Sequence, residues 1–181
     1  MQSEAAQLIE HNTKVIEKTG ASKVVFSCPS CYRTFKEYYS LDAELYHHTE
    51  FIQELIEEKK LKLRGLNAKL TYHDPCDLGR HSGIYEPPRR VLRALKAELV
   101  EMPRAREIAL CCGGGGDLEL VEPELTTDIS ITVAREAQET GAGVLVTACQ
   151  QCKRVLKKGV AEAGAKLEVK DIAEVVLKAV E

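Results

Sequence analysis

The residues of this sequence with the clearest capacity for chemistry are its seven cysteines, which fall into four groups. The groups are CPSC at Cys28–Cys31, a lone Cys76, the adjacent pair Cys111-Cys112 ahead of four glycines, and CQQC at Cys149–Cys152. Thiolates at such spacing bind zinc, copper(I) and iron–sulfur clusters. The cysteine pattern therefore predicts a metal site or a redox site.

The two CxxC segments are copies within an internal repeat. A shift of 121 positions (149 − 28) places the first CxxC on the second and aligns the flanking sequence without a gap, from Thr19–Ala21 on Thr140–Ala142 to Phe51 on Ile172. Such a repeat predicts two similar structural units. The first copy is expected to be incomplete, because the counterparts of Cys76 and of Cys111-Cys112 would lie upstream of Met1.

Three other uses of these cysteines compete with an iron–sulfur site. Buried cysteines can serve simply as small apolar residues, but scattered core residues would not duplicate a CxxC at a constant offset. A thioredoxin-like dithiol places CxxC between a strand and a helix, and a zinc site can use two CxxC pairs. Both of these alternatives leave the pair Cys111-Cys112 unexplained.

Composition indicates a globular protein of a reducing compartment. The chain has 181 residues, of which 44% are hydrophobic and 29% charged, and its net charge of −3 argues against a nucleic-acid partner. It contains no apolar run of about 18 residues, so no direct membrane span is predicted. An odd number of cysteines without a secretory signal favours a cytoplasmic location and metal or redox chemistry over structural disulfides.

Hydrophobic patterning predicts strands that alternate with helices. The predicted strands are residues 23–27, 45–48, 69–73, 98–101, 143–147 and 166–169, and the predicted helices are 4–18, 31–39, 50–59, 88–97, 125–139, 151–158 and 171–180. The expected fold is α/β, with parallel sheets covered by helices and two pseudo-symmetric halves. Sites in such folds lie beyond the carboxyl ends of strands, where this prediction places Cys28, Cys76 and Cys149.

The second copy and its flanking residues resemble a known family. The pattern runs from Tyr72-His73-Asp74-Pro75-Cys76 through Cys111-Cys112-Gly113 to Cys149-x-x-Cys152. It resembles the cysteine-rich CCG domain of heterodisulfide reductase catalytic subunits and of the iron–sulfur subunits of glycolate, lactate and glycerol-3-phosphate oxidoreductases. The resemblance covers nearly the whole chain.

The resemblance implies an iron–sulfur oxidoreductase domain that transfers electrons to a disulfide or a linked acceptor. The implied ligands of one non-cubane [4Fe-4S] cluster are Cys76, Cys111, Cys112, Cys149 and Cys152, and Gly113 allows the backbone to approach it. Cys28 and Cys31 are implied to complete a second site with cysteines of an absent segment or another chain. Implied partners are ferredoxin-like or flavin-containing subunits, or a membrane cytochrome or quinone-linked subunit that would hold the protein peripherally on the inner face of a membrane.

The chain departs from the family by carrying only one complete motif. We expect residues 1–64 to be the carboxyl-terminal part of a first CCG domain and residues 65–181 to be a complete second one. Turnover of a disulfide is then expected to need the missing half or partner subunits. The rival hypothesis is a non-enzymatic module that zinc or disulfides stabilise within a redox complex.

Two histidines are candidates for proton transfer. His73, beside Cys76, could donate a proton to a departing thiolate or hydrogen-bond a cluster sulfur, or could be a strand-end histidine bonded to backbone. His81 lies in a glycine-containing loop and is open to the same two interpretations. The ungapped repeat sets His47-His48 against Glu168-Val169, which predicts a surface role for that pair.

Charged residues near the motif are predicted to have structural roles. Arg80, Arg89 and Arg90 are expected on a solvated face, although they could meet an anionic substrate. Asp74 is expected to cap the turn that presents Cys76, and Asp117 to cap a short helix after the glycines.

Overall fold

The computed structural model describes residues 2–181, which form eight α-helices, one short 3-10 helix (Arg106–Ile108) and six strands. The helices are α1 (Gln2–Glu17), α2 (Pro29–Tyr38), α3 (His48–Glu57), α4 (Glu86–Ala94), α5 (Leu118–Val121), α6 (Pro123–Glu139), α7 (Gln150–Glu162) and α8 (Ile172–Leu177). The strands are β1 (Lys23–Phe26), β2 (Glu44–His47), β3 (Lys69–His73), β4 (Glu98–Glu101), β5 (Val144–Thr147) and β6 (Glu168–Asp171). The predicted alternation of strands and helices is confirmed.

The six strands form two parallel sheets. β1 pairs with β2, and the larger sheet has the order β4-β3-β5-β6. Within it, His73 at the end of β3 lies opposite Thr147 at the end of β5. Because parallel strands end at the same edge of a sheet, the segments that carry Cys76 and Cys149 leave that edge side by side. The predicted α/β class is confirmed, as are these positions beyond strand ends.

The hydrophobic core crosses from the first half of the chain into the second. One cluster of buried residues joins Tyr32 of α2 to Tyr72 of β3, Val146 of β5 and Ile172 of α8. A second cluster lies between the large sheet, α6 and α7, and includes Cys112, Cys149 and Cys152. Three of the cysteines are therefore anchored in packed protein. The predicted division at residues 64 and 65 stays a prediction.

The repeat is real but contains a gap that the ungapped alignment missed. The start of α2 and the start of α7 are 121 positions apart, whereas the starts of β2 and β6 are 124 apart (168 − 44). The reason is that α7 has 13 residues and α2 has 10. His47 therefore corresponds to Asp171, and His48, not Phe51, corresponds to Ile172. Both His47 and Asp171 cap the following helix through a capping box.

Close packing of α6 against α7 depends on Gly159. A Cβ atom there would lie 2.5 Å from the carbonyl carbon and oxygen of Ser130 on α6. We expect Gly159→Ala to lower the free energy of unfolding by about 1–3 kcal/mol, because backbone must move to relieve the overlap. Urea denaturation of the metal-free protein measures this loss.

Gly143→Ala is the matched control for that substitution. A Cβ atom at Gly143 would meet nothing within 4 Å, so this variant should be nearly as stable as the wild type. Equal stability of Gly159→Ala and Gly143→Ala would contradict the predicted close contact.

Candidate metal centre

Five thiols come together at the carboxyl edge of the large sheet. Cys76 follows β3, Cys149 occupies the N-cap position of α7 after β5, and Cys152 lies in the first turn of that helix. Cys111 and Cys112 arrive from the loop between β4 and α5. Cys112, Cys149 and Cys152 are buried, whereas Cys76 and Cys111 are partly exposed. One end of the group is therefore open to solvent and the other is enclosed.

The five thiols form a continuous row of neighbours. The thiol of Cys76 interacts with that of Cys111, and Cys111 in turn interacts with Cys112. Cys112 interacts with Cys152, which interacts with Cys149. The structure thus brings together cysteines that are up to 76 positions apart (152 − 76) in the sequence. We refer to these five residues as the thiol row.

Neighbouring thiols of the row shift one another's pKa in opposite directions. Interaction with Cys112 and then with Cys76 lowers the pKa of Cys111 to about 2. Interaction with Cys152 lowers the pKa of Cys149 to about 7. The pKa of Cys112 rises to about 12, and that of Cys76 rises, chiefly through the interaction with Cys111. The lowered pKa of Cys111 favours the thiolate, which is the form that binds metals.

Glycines beside the pair Cys111-Cys112 allow a compact sulfur-rich loop. Gly113 has a φ of 82°, a conformation that other residues rarely adopt. Its N–H donates to Cys111 Sγ at 3.4 Å, and the N–H of Gly114 donates to Cys112 Sγ at 3.5 Å. Thr126 Oγ1 and Gln151 Nε2 hold the loop by donating to the carbonyl oxygens of these two glycines, at 2.9 and 2.6 Å.

The donor set fits a group with several metal atoms better than a single ion. Among residues 2–181, no three His, Cys, Asp or Glu side chains are arranged to hold one metal ion. The thiol row offers five sulfurs, whereas structural zinc uses four ligands at the corners of a tetrahedron. Sulfur-only ligands with backbone N–H donors directed at them suit an iron–sulfur cluster. The residues present therefore fit such a cluster, and their assignment as its ligands stays a prediction.

The first CxxC lies against the thiol row but has a different environment. Cys28 occupies the N-cap position of α2, and its Sγ accepts the N–H of Cys31 at 3.3 Å. The thiol of Cys31 is exposed, and its hydrogen bond to Cys28 raises its pKa to about 11, with a smaller contribution from the charge of Cys149. The two cysteine sites are thus close enough to interact electrostatically.

Polar contacts hold the first CxxC on the loops of the thiol row. Ser30 Oγ donates to Asp77 Oδ2 at 2.5 Å, and Arg33 Nη1 donates to Asp77 Oδ1 at 3.2 Å. Gln150 Nε2 donates to the carbonyl oxygen of Ser27 at 2.8 Å. Because Asp77 follows Cys76 and Gln150 follows Cys149, the start of α2 touches both of these loops.

The two predicted proton-transfer histidines occupy contrasting environments. His73 is 3% exposed, and burial lowers its pKa to about 4, so its ring is neutral at neutral pH. It lines a narrow cavity with Met102, Val133 and Glu136. His81 is exposed, and its backbone N–H donates to the carbonyl oxygen of Cys76 at 3.1 Å. Proton transfer by either ring stays a prediction.

The predicted roles of Arg89 and Asp74 were wrong. Arg80 and Arg90 are exposed as expected, but Arg89 is completely buried. Burial alone would lower the pKa of Arg89, but the carboxylates of Asp74 and Glu101 outweigh it and raise the pKa. Asp74 binds this guanidinium, and the turn that contains Cys76 is instead closed by the backbone N–H groups of Leu78 and Gly79, which donate to the carbonyl oxygen of Pro75.

The sequence carried one signal for the buried arginine. That signal is helical spacing: Arg89 lies three positions before Leu92 and so on the same face of α4, which buries both of them together with Pro88 and Val91.

Asp117 precedes α5 as predicted, but its side chain makes no capping hydrogen bond.

The pair His47-His48 is buried, which corrects the predicted surface role. His47 is completely enclosed, and His48 is 8% exposed. Their rings lie 4.3 Å apart, and His48 Nε2 lies 3.9 Å from Asp171 Oδ1. The error comes from the ungapped alignment of the two repeats. It aligned His47 with Glu168, at the exposed start of β6, whereas the structure aligns His47 with Asp171. The contact between His48 and Asp171 joins the first half of the chain to the second.

Burial of His47 predicts that the metal-free protein loses stability in acid. Its pKa is lowered from 6.5 to about 3, chiefly by burial, so the unfolded chain binds a proton below pH 6.5 that the folded chain excludes. Stability present above pH 6.5 is therefore lost as pH falls toward 3, by about 2 kcal/mol at pH 5 from this ring. His48 and His73 add in the same direction, because burial lowers their pKa as well.

Removing the His47 ring should flatten that pH dependence. His47→Asn retains an acceptor for the N–H of Thr49 but cannot titrate. Urea denaturation at pH 7 and pH 5 should show a smaller difference in the free energy of unfolding for His47→Asn than for the exposed control His11→Gln. Identical pH dependence in the two variants would contradict the prediction.

A family model for the cysteine-rich CCG domain matches residues 1–36 and 70–157 of the chain. The chain belongs to this CCG family. All seven cysteines lie in the two matched stretches. The resemblance inferred from the YHDPC and CCGGGG segments is therefore confirmed.

Curated relatives of this CCG protein are redox proteins. A subunit of the dihydromethanophenazine:CoB–CoM heterodisulfide reductase of Methanosarcina acetivorans is 39% identical over 97% of this chain and 45% of its own length. The probable iron–sulfur-binding oxidoreductase FadF of Bacillus subtilis is 35% identical over 96% of this chain and 26% of its own. The EtfAB:quinone oxidoreductase of Syntrophomonas wolfei is 36% identical, with the same two coverages.

The CCG chain spans less than half the length of these relatives. Among solved structures, Picrophilus torridus aspartate racemase aligns with a TM-score of 0.47 and 14% identity, over 94% of this chain and 65% of its own. Among residues 2–181, no helix is both long enough and apolar enough to cross a membrane.

Proposed function

We propose that this CCG protein is an iron–sulfur oxidoreductase domain of the heterodisulfide-reductase type, which passes electrons to a disulfide or a linked acceptor. The observation that carries the proposal is the thiol row, in which Cys76, Cys111, Cys112, Cys152 and Cys149 each interact with the next. Relatives that match almost the whole chain are named as heterodisulfide reductase and iron–sulfur oxidoreductase proteins, which supports the same role.

The thiol row would hold one [4Fe-4S] cluster of the non-cubane type. When bound, such a group supplies one-electron transfer. The lowered pKa of Cys111 would favour the charged form that binds metal, and the N–H groups of Gly113 and Gly114 donate to the sulfurs of Cys111 and Cys112 and thereby stabilise them. Burial of Cys112, Cys149 and Cys152 excludes water from the inner side of the site.

Cys28 and Cys31 would belong to a second site that other cysteines complete. In the large sheet, β5 is flanked by β3 and β6, but its repeat counterpart β1 pairs only with β2 among the described residues. The edge of β1 is therefore open where a strand equivalent to β3 would bring a further cysteine. We propose that a segment of a longer subunit or another chain supplies that strand, with residues 1–64 and 65–181 as the two CCG units.

Partner subunits would deliver the electrons. Ferredoxin-like and flavin-containing subunits are the proposed donors, and a membrane cytochrome or quinone-linked subunit would keep the protein at the inner face of a membrane. The names of relatives support this class, since they include a quinone oxidoreductase and a probable membrane-anchored ferredoxin. His81, with an exposed ring beside the Cys76 loop, and His73, enclosed near Cys111, are the proposed proton-transfer residues.

Electron uptake by the reconstituted protein tests the proposed function. Protein loaded anaerobically with iron and sulfide should accept about one electron per chain from a reduced viologen dye and return it to a soluble quinone. Protein loaded with zinc is the control and should accept none. If the iron-loaded and zinc-loaded samples behave alike, the proposed redox role is wrong.

A further inference from the structure

The buried guanidinium of Arg89 uses all five of its N–H groups as hydrogen-bond donors. Arg89, on α4, is completely enclosed. The central carbon of its guanidinium, Cζ, lies 5.3 Å from the centre of the Tyr72 ring on β3. A guanidinium has five N–H donors, and the five partners here are Asp74 Oδ1 (2.7 Å), Asp74 Oδ2 (2.8 Å), Glu101 Oε1 (2.7 Å), Glu101 Oε2 (2.8 Å) and the carbonyl oxygen of Tyr85 (2.9 Å).

One side of this network reaches the cysteine loops. Asp74 lies two residues before Cys76, and its Oδ2 also accepts the backbone N–H of Arg106 at 2.8 Å. Arg106 lies five residues before Cys111 and has a φ of 60°, a conformation that costs free energy and persists only where its surroundings hold it. The Asp74 carboxylate therefore bridges the segment that leads to Cys76 and the segment that leads to Cys111.

The other side of the network binds groups at the ends of a strand and a helix. Glu101 ends β4, and the carbonyl oxygen of Tyr85 precedes α4, so both belong to the scaffold. A second, independent bond ties the same two cysteine segments together, because Arg80 Nη2 donates to the carbonyl oxygen of Ala109 at 2.5 Å. Cys76 and Cys111 are thus held from two directions although they are 35 positions apart (111 − 76) in the sequence.

We propose that Arg89, acting through Asp74, is a positioning residue that sets Cys76 against Cys111 and so enables the thiol row to bind its cluster. The inference rests on the proposed function for the cluster, but the position of the two thiols can be measured without it. Stability alone does not require such a network, because well-packed apolar residues often replace a buried ion pair without loss. A bidentate guanidinium adds fixed geometry, which apolar packing does not supply.

Two conservative variants separate positioning from stability. Asp74→Asn weakens the side of the network that reaches the cysteine loops, and Glu101→Gln weakens the side that reaches only the scaffold. Both should lower the thermal unfolding temperature. Only Asp74→Asn should weaken cluster binding, by about tenfold, and change the paramagnetic resonance spectrum of the reconstituted protein.

A measurement on metal-free protein tests the position of the thiols directly. In a Cys112→Ser background, which removes the competing neighbour of Cys111, diamide should form a Cys76–Cys111 disulfide that peptide mass spectrometry can quantify. Asp74→Asn should slow its formation severalfold relative to Glu101→Gln. Equal rates in the two variants would overturn the inference, whether or not a cluster binds. If the Cys112→Ser protein forms the disulfide as expected but the wild-type protein takes up no iron, the result would count instead against the proposed function.

Discussion

Cys112→Ser is expected to abolish cluster binding. Cys112 is the middle member of the thiol row, in contact with both Cys111 and Cys152, and it is 3% exposed. A serine hydroxyl is a poor ligand for iron in place of a thiolate, and the substitution also removes the donor that does most to lower the pKa of Cys111. Visible absorbance and iron content after anaerobic reconstitution measure the loss.

Cys31→Ser is the matched control. Cys31 belongs to the other CxxC, is exposed and lies outside the thiol row, so this variant should keep the chromophore of the wild type. If Cys112→Ser retains full iron and sulfide while Cys31→Ser loses them, the cluster is held elsewhere and the assignment of the thiol row is wrong. Loss in both variants would mean that the two sites depend on each other.

Gly114→Ala is expected to weaken cluster binding by about tenfold or more. A Cβ atom at Gly114 would lie 2.5 Å from Cγ2 of Val155 on α7 and 3.2 Å from Nε2 of Gln151. Relief of that overlap must push the Cys111-Cys112 loop away from the helix that carries Cys152. Iron titration of the metal-free protein under anaerobic conditions measures the change in affinity.

A second substitution and a neighbouring glycine make this prediction specific. Val155→Ala removes the atom that Gly114→Ala would strike, so the double variant should recover much of the lost affinity. Gly115→Ala is the control, because a Cβ atom there would meet nothing within 4 Å. Failure of the double variant to recover, or an equal loss in Gly115→Ala, would mean that the close approach of the loop to α7 is unimportant.

The fold and the place of the cysteines were predictable because both depend on local pattern. Short apolar runs such as Lys69–His73 end in a turn that carries a cysteine, and parallel pairing brings such ends together. The repeat allowed the position of one CxxC, between a strand and a helix, to predict that of the other. The CCG pattern then predicted that Cys76, Cys111 and Cys152 share one site, although they are far apart in the sequence.

What sequence reasoning missed depends on contacts between distant residues. The partners of Arg89 lie 15 positions before it, just after β3, and 12 positions after it, at the end of β4. A charged residue in an amphipathic helix ordinarily faces water. The contact of His48 with Asp171 depends on the extra length of α7, which an ungapped alignment conceals. The spacing of Arg89 from Leu92 could indicate its burial but not its partners, and the contact of His48 has no periodic signal at all.

The most direct test of the central claim is the content of iron, acid-labile sulfide and zinc in anaerobically purified protein, with paramagnetic resonance of its oxidised and reduced forms. We expect about four irons per chain with matching sulfide, and a spectrum that Cys112→Ser eliminates. Stoichiometric zinc without iron or sulfide would contradict the account and would identify the thiol row as part of a structural module.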